Sequence, residues 1–101
     1  MFKMMALFKK PENQESFDEY YYGTHIPLTK KIPGLQDLRI TKITGSPMGE
    51  SDFYLLCEMY YESKEAFKEA SRTEESKASG KDVMKFAGDI VTFMFGEEKN
   101  D

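Results

Sequence analysis

Residues 2–9 carry apolar side chains on both faces of an extended chain. Phe2, Met4, Ala6 and Phe8 fall on one side and Met5 and Leu7 on the other, flanked by Lys3 and Lys9. A strand of that pattern belongs in the middle of a sheet. After the loop at Pro11–Gln14 the period changes from two to about 3.6. Ser16-Phe-Asp-Glu19 has capping-box spacing, and Phe17, Tyr21, Thr24, Leu28 and Ile32 follow it as one helical stripe. Pro27 interrupts this stripe, because it removes the hydrogen bond to the carbonyl of Gly23. Two solutions are open: a helix bent at Gly23, or a helix that stops there and restarts with Thr24 as its N-cap. Pro33-Gly34 ends the segment.

The second half repeats this order without repeating the sequence. Residues 35–44 read as a strand anchored by Leu38, Ile40 and Ile43, and Gly45–Ser51 as a turn-rich loop. Residues 52–61 alternate most clearly, with Phe53, Leu55, Cys57 and Met59 on one face and Tyr54, Leu56, Glu58 and Tyr60 on the other. Ser63 caps a helix using Ala66, Phe67 and Ala70. Thr73 caps a continuation to Phe86, with an interruption at Gly80. Residues 90–95 form the last strand. The reading is one domain over residues 1–96 with a polar tail at 97–101. The β-α-β-β-α-β order predicts an α+β, ferredoxin-like fold with a four-stranded antiparallel sheet and helices on one face. The helix-free face then exposes Tyr54, Leu56 and Tyr60 beside one face of the first strand. A soluble monomer rarely leaves such a patch open, so a homodimer through that face is expected. A wet, tyrosine-rich face is the plainer alternative.

Composition narrows the classes. At 101 residues there is room for one core. The net charge is −4 and the lysines are dispersed, so the concentrated positive footprint of nucleic-acid binding is missing. No apolar run is long enough to span a membrane. The single cysteine, with no signal-peptide pattern at the start, predicts a cytoplasmic protein. Cys57, among Phe53, Leu55 and Met59, reads as a buried, inert thiol. One histidine and one cysteine make no zinc site, the methionines read as core filler, and no cofactor is called for.

The chemistry therefore centres on His25, the one group whose ordinary pKa lies near neutrality. On an ideal helix it sits at the edge of the buried stripe, where a side chain reaches a cleft. If Thr24 caps a new helix, the positive end of the dipole also disfavours the imidazolium. The plainer reading is a half-buried histidine that hydrogen-bonds a backbone carbonyl. Tyr20, Tyr21 and Tyr22 cannot all face inward. Tyr21 is best placed for the cleft, and Tyr22 lies one turn before His25. Glu58, on the proposed dimer face, is expected to need a partner and reads as one half of an ion pair across the dimer.

Several segments together resemble the EthD family of the dimeric α+β barrel superfamily. They are Phe17 with Tyr20–Tyr22, His25-Ile-Pro-Leu28, Ile32-Pro-Gly-Leu35, the passage from Cys57 to Phe67, and Asp82 with Phe86. Members are small homodimers named after ether-degradation gene clusters. Their relatives include methylmuconolactone isomerases, and the wider superfamily includes cofactor-free monooxygenases, polyketide cyclases and haem proteins. The resemblance implies a dimeric barrel with Asp82 matching the family's acidic residue before the last strand. Capping at Gly80-Lys-Asp explains Asp82 equally. The Lys-, Glu- and Ser-rich passage Glu74–Lys81 departs from the family pattern on one side of the implied pocket. Two functional readings follow. One is an isomerase-, cyclase- or monooxygenase-type enzyme, with no cofactor, that acts on a hydrophobic oxygenated metabolite. His25 is then its proton-transfer group, with Tyr21, Tyr22, Tyr54 and Asp82 binding substrate. The other is a non-catalytic dimeric binding or accessory protein of a degradation pathway.

Overall fold

The computed structural model describes residues 1–99. Four strands, β1 (Phe2–Lys9), β2 (Asp37–Lys42), β3 (Phe53–Tyr61) and β4 (Val91–Glu97), form one sheet in the order β2-β3-β1-β4. Every neighbouring pair is antiparallel. The doubly apolar β1 is central, as its pattern requires. Helices α1 (Gln14–Tyr20), α2 (Ile26–Thr29), α3 (Lys64–Ser71) and α4 (Glu74–Ala87) supply the second layer. The fold is α+β and ferredoxin-like.

Register assigns the faces. Phe2, Met4, Ala6 and Phe8 stand beside Tyr61, Met59, Cys57 and Leu55 across the ladder, and these side chains meet the helices. Lys3, Met5 and Leu7 point the other way with Tyr60, Glu58 and Leu56. Tyr54 does not join them. A bulge pairs Phe8 with Leu55 but Lys9 with Phe53, leaving Tyr54 as the extra residue. The alternation flips at that point. Tyr54 turns to the helix side, edge-on to Phe17 at 5.8 Å, and its hydroxyl donates to the carboxylate of Asp18. Phe53 moves off the core face and is 38% exposed. Glu58 does not wait for a second chain: the Lys3 ammonium meets it at 2.5 Å within the same sheet face. A cross-dimer pairing is therefore not needed to satisfy it.

Helix starts and interruptions differ instructively from the sequence pattern. Asn13, not Ser16, caps α1. Its side chain accepts from the Ser16 N–H at 2.9 Å, and the Ser16 hydroxyl returns to the Asn13 carbonyl at 3.3 Å. At Pro27 neither expected solution is adopted. The chain stays helical from Gln14 to Thr29 and inserts a π-turn over Tyr21–His25, where the Ile26 N–H reaches the Tyr21 carbonyl five residues back. The wider turn lies where proline breaks the α-helical ladder, and Pro27 falls in the first turn of α2, where its missing donor costs little. One inserted residue rotates the buried stripe: Thr24 is exposed, and the inward positions become Tyr21, His25, Ile26 and Thr29. Ser63 and Thr73 cap α3 and α4 as expected, accepting from Ala66 and Ser76. The expected break at Gly80 is absent, since α4 runs through it. β4 continues to Glu97, which pairs with Phe2, and Glu98 donates its N–H to the Met1 carbonyl. Residues 100–101 of the expected tail lie outside the described residues.

Candidate active site

His25 is set by the π-turn into the layer between helices and sheet, with its side chain 8% exposed. Its Nδ1 lies 2.9 Å from Oδ2 of Asp82, which reaches across from α4. A carboxylate only accepts, so Nδ1 carries the proton and donates. Nε2 is left with its lone pair, 3.4 Å from the Thr29 hydroxyl. That hydroxyl is already committed, donating to the His25 carbonyl at 3.0 Å and lying 2.7 Å from the Ser79 hydroxyl. The second oxygen of Asp82 accepts from the Tyr20 hydroxyl at 2.5 Å. Tyr20, Asp82 and His25 thus form a chain from the surface to the interior. The Phe86 ring packs 4.8 Å from that of Tyr20 and 5.1 Å from that of His25.

Burial disfavours the charged imidazolium and lowers the pKa of His25. Asp82 opposes this through its hydrogen bond and its charge without reversing it. The neutral imidazole, with its tautomer fixed, is the form present near neutral pH. Tyr20 shifts upward because it donates to Asp82.

His25 borders a cavity of about 250 Å³ between helices and sheet. The floor is apolar, from Ala6, Phe8, Cys57 and Met59, and the wall on the side of α4 is made by Ser76, Ser79 and Gly80. Tyr21 lines it too, fully buried, and its hydroxyl has no hydrogen-bond partner. Only the weakly bonding Cys57 thiol lies against it. Burial raises the Tyr21 phenol far above its usual range and pushes the Cys57 thiol up to about 11. The thiol is therefore a protonated, buried wall residue.

The structure thus brings His25, Asp82 and Tyr21 together. Tyr22 stands outside the cavity, 49% exposed, with its ring edge-on to Tyr21. Tyr54 is buried on the far side of Phe17, bound to Asp18, and borders no part of the cavity. His25 bonds a carboxylate rather than the backbone carbonyl of the plainer reading. Tyr20, Thr29 and Ser79 were not singled out by the sequence. Tyr20 is one of three adjacent tyrosines with no distinguishing neighbour, while Thr29 comes inward only through the π-turn. Among the described residues, no cluster of three or more His, Cys, Asp or Glu side chains stands in position to hold a metal ion.

A ferredoxin-like α+β domain with a buried His–Asp pair facing an apolar cavity is the class defined by this geometry. The chain belongs to the EthD family: residues 9–90 match the EthD domain model. It is similar to an EthD family protein from Bacillus halodurans C-125, with 60% identity, 98% of this chain and 99% of that one covered, and a TM-score of 0.96. It is 28% identical to an uncharacterised 11.0 kDa protein from the thcB–thcC intergenic region of Rhodococcus erythropolis, covering 98% of this chain and 96% of the relative. It shares its fold with SnoaB, a cofactor-independent oxygenase from Streptomyces nogalater. The TM-score there is 0.70 at 9% identity, with 99% of this chain and 94% of that one covered. Among the described residues, no helix is long and apolar enough to cross a membrane.

Proposed function

We propose that this protein is a homodimeric enzyme that moves a proton on a hydrophobic, oxygenated metabolite, with His25 Nε2 as the base. The carrying observation is the pinned tautomer. Asp82 holds Nδ1–H, leaving a lone pair on the ring that borders a largely apolar cavity. As Nε2 takes a proton from substrate carbon or oxygen, the new imidazolium is stabilised by Asp82, whose other oxygen is steadied by Tyr20. Tyr22, Tyr54 and the reaction type — isomerisation, cyclisation or oxidation — are not carried by this geometry. The dimer is proposed through the helix-free face, where Met5, Leu7, Leu56 and Met94 gather around the Lys3–Glu58 pair.

A histidine-resolved NMR titration in the presence of small lactones and phenols tests the reading. The expected result is a His25 midpoint below the ordinary 6.5 and ring shifts on ligand addition. Ring resonances unmoved by every ligand would overturn it in favour of a non-catalytic accessory protein. So would full turnover of an accepted substrate by His25→Ala.

A further inference from the structure

The stretch of α4 around Gly80 makes one wall of the cavity, and it breaks two local rules there. Gly80 lies in the interior of a 14-residue helix, where glycine is costly relative to alanine. Packing does not demand it, because a Cβ at Gly80 would meet nothing within 4 Å. Yet Gly80 is exposed and also borders the buried cavity, so the cavity reaches solvent there. Outside, the same glycine floors a shallow groove with Lys77, Lys81, Met84 and Lys85. The three lysines follow one another at four-residue spacing, an arrangement that weakens a helix through like-charge repulsion. No carboxylate ion pair forms with any of them among the described residues. Lys81 has none even in reach along the helix, since its neighbours three and four residues away are Lys77, Ala78, Met84 and Lys85. In a chain of net charge −4, this is a positive rim around an apolar hole. Two locally unfavourable choices at one opening are the mark of a functional site.

We infer that the ligand is an amphipathic carboxylate that enters beside Gly80, with its apolar body in the cavity and its carboxylate outside on Lys81 and Lys77. This names the substrate class of the site proposed above and rests on that cavity being the binding site. The headgroup stays in water near the lysines, so the buried wall needs no cation. The body ends at the Tyr21 and His25 side of the cavity. α4 lies on the side of the sheet away from the proposed dimer face, so dimerisation leaves the opening clear.

Calorimetric titration of the whole protein with octanoate, and with octanol as its neutral counterpart, tests the inference. Octanoate is expected to bind more tightly, with an affinity that falls with added salt. Lys81→Gln should weaken octanoate about fivefold, the size of one partly exposed ion pair, and leave octanol unchanged. Lys81→Arg should restore most of the loss. Gly80→Leu should abolish binding of both ligands while the far-ultraviolet dichroism stays that of the parent. Octanol binding as tightly as octanoate, or Lys81→Gln without effect on octanoate, would overturn the inference. Lys81-dependent binding that shifts the His25 ring resonances, together with full turnover of an accepted substrate by His25→Ala, would uphold the entrance and count against proton transfer alone.

Discussion

His25 draws its properties from three neighbours: burial lowers its pKa, Asp82 fixes its proton on Nδ1, and Thr29 faces its free nitrogen only at 3.4 Å. Removing the charge but not the shape of the partner should separate these. In Asp82→Asn the opposing attraction is gone, so the midpoint of His25 should fall further below 6.5 in the NMR titration. The side-chain amide also lets the ring carry its proton on Nε2, so turnover of any substrate should drop by about a hundredfold or more. The same group couples to stability. Its folded pKa lies below its unfolded one, so the unfolded chain binds the proton more readily. Stability then rises with pH across the interval below about 6.5 and is lost as pH falls through it. In urea unfolding the parent's midpoint should fall as pH drops below about 6.5, and His25→Gln should lack that component of the fall. Tyr21 makes a different case. Its hydroxyl is buried without a partner, so Tyr21→Phe should raise thermal stability by about 1 kcal/mol.

At the scale of elements, the caps of the last two helices were legible, while that of the first and the helix register were not. Ser63 and Thr73 cap where the sequence puts them because a side-chain cap is a local interaction. Thr73→Ala should therefore cost about 1 kcal/mol in urea unfolding, with the loss arising at the wall of the cavity. Helical spacing alone put Thr24 inward and His25 at the edge. The π-turn reverses them, and no propensity scale signals a π-turn. Only the conflict at Pro27 pointed to a disturbance, and its resolution depended on what packs beneath. The bulge at Tyr54 is the same kind of event in a strand. Alternation is reliable until one residue is inserted, and then each side chain before that point changes face.

For the whole molecule, assembly turns on the face without helices. Its apolar part is Met5, Leu7, Leu56 and Met94, with Phe53 brought in where Tyr54 has left, and Lys3 and Glu58 neutralise each other at its centre. A lysine at Leu56 would place an unpaired charge in that patch. Sedimentation equilibrium should show a dimer for the parent and a monomer for Leu56→Lys, with the fold retained. A monomeric parent at micromolar concentration would remove the dimer from the proposal.

The element order and the central place of β1 were determined by the sequence itself, which also singled out His25 as its one histidine. Each follows from a period, a local cap or a residue type that occurs once in the chain. The tertiary structure alone decided that Asp82 meets His25 across 57 positions, that Tyr20 steadies it, and that Tyr54 belongs to the core. Such pairings depend on a π-turn and a bulge, each of which shifts register by one residue. One residue is about 100° around a helix and the opposite face of a strand, so a small local insertion decides which side chains share a cavity.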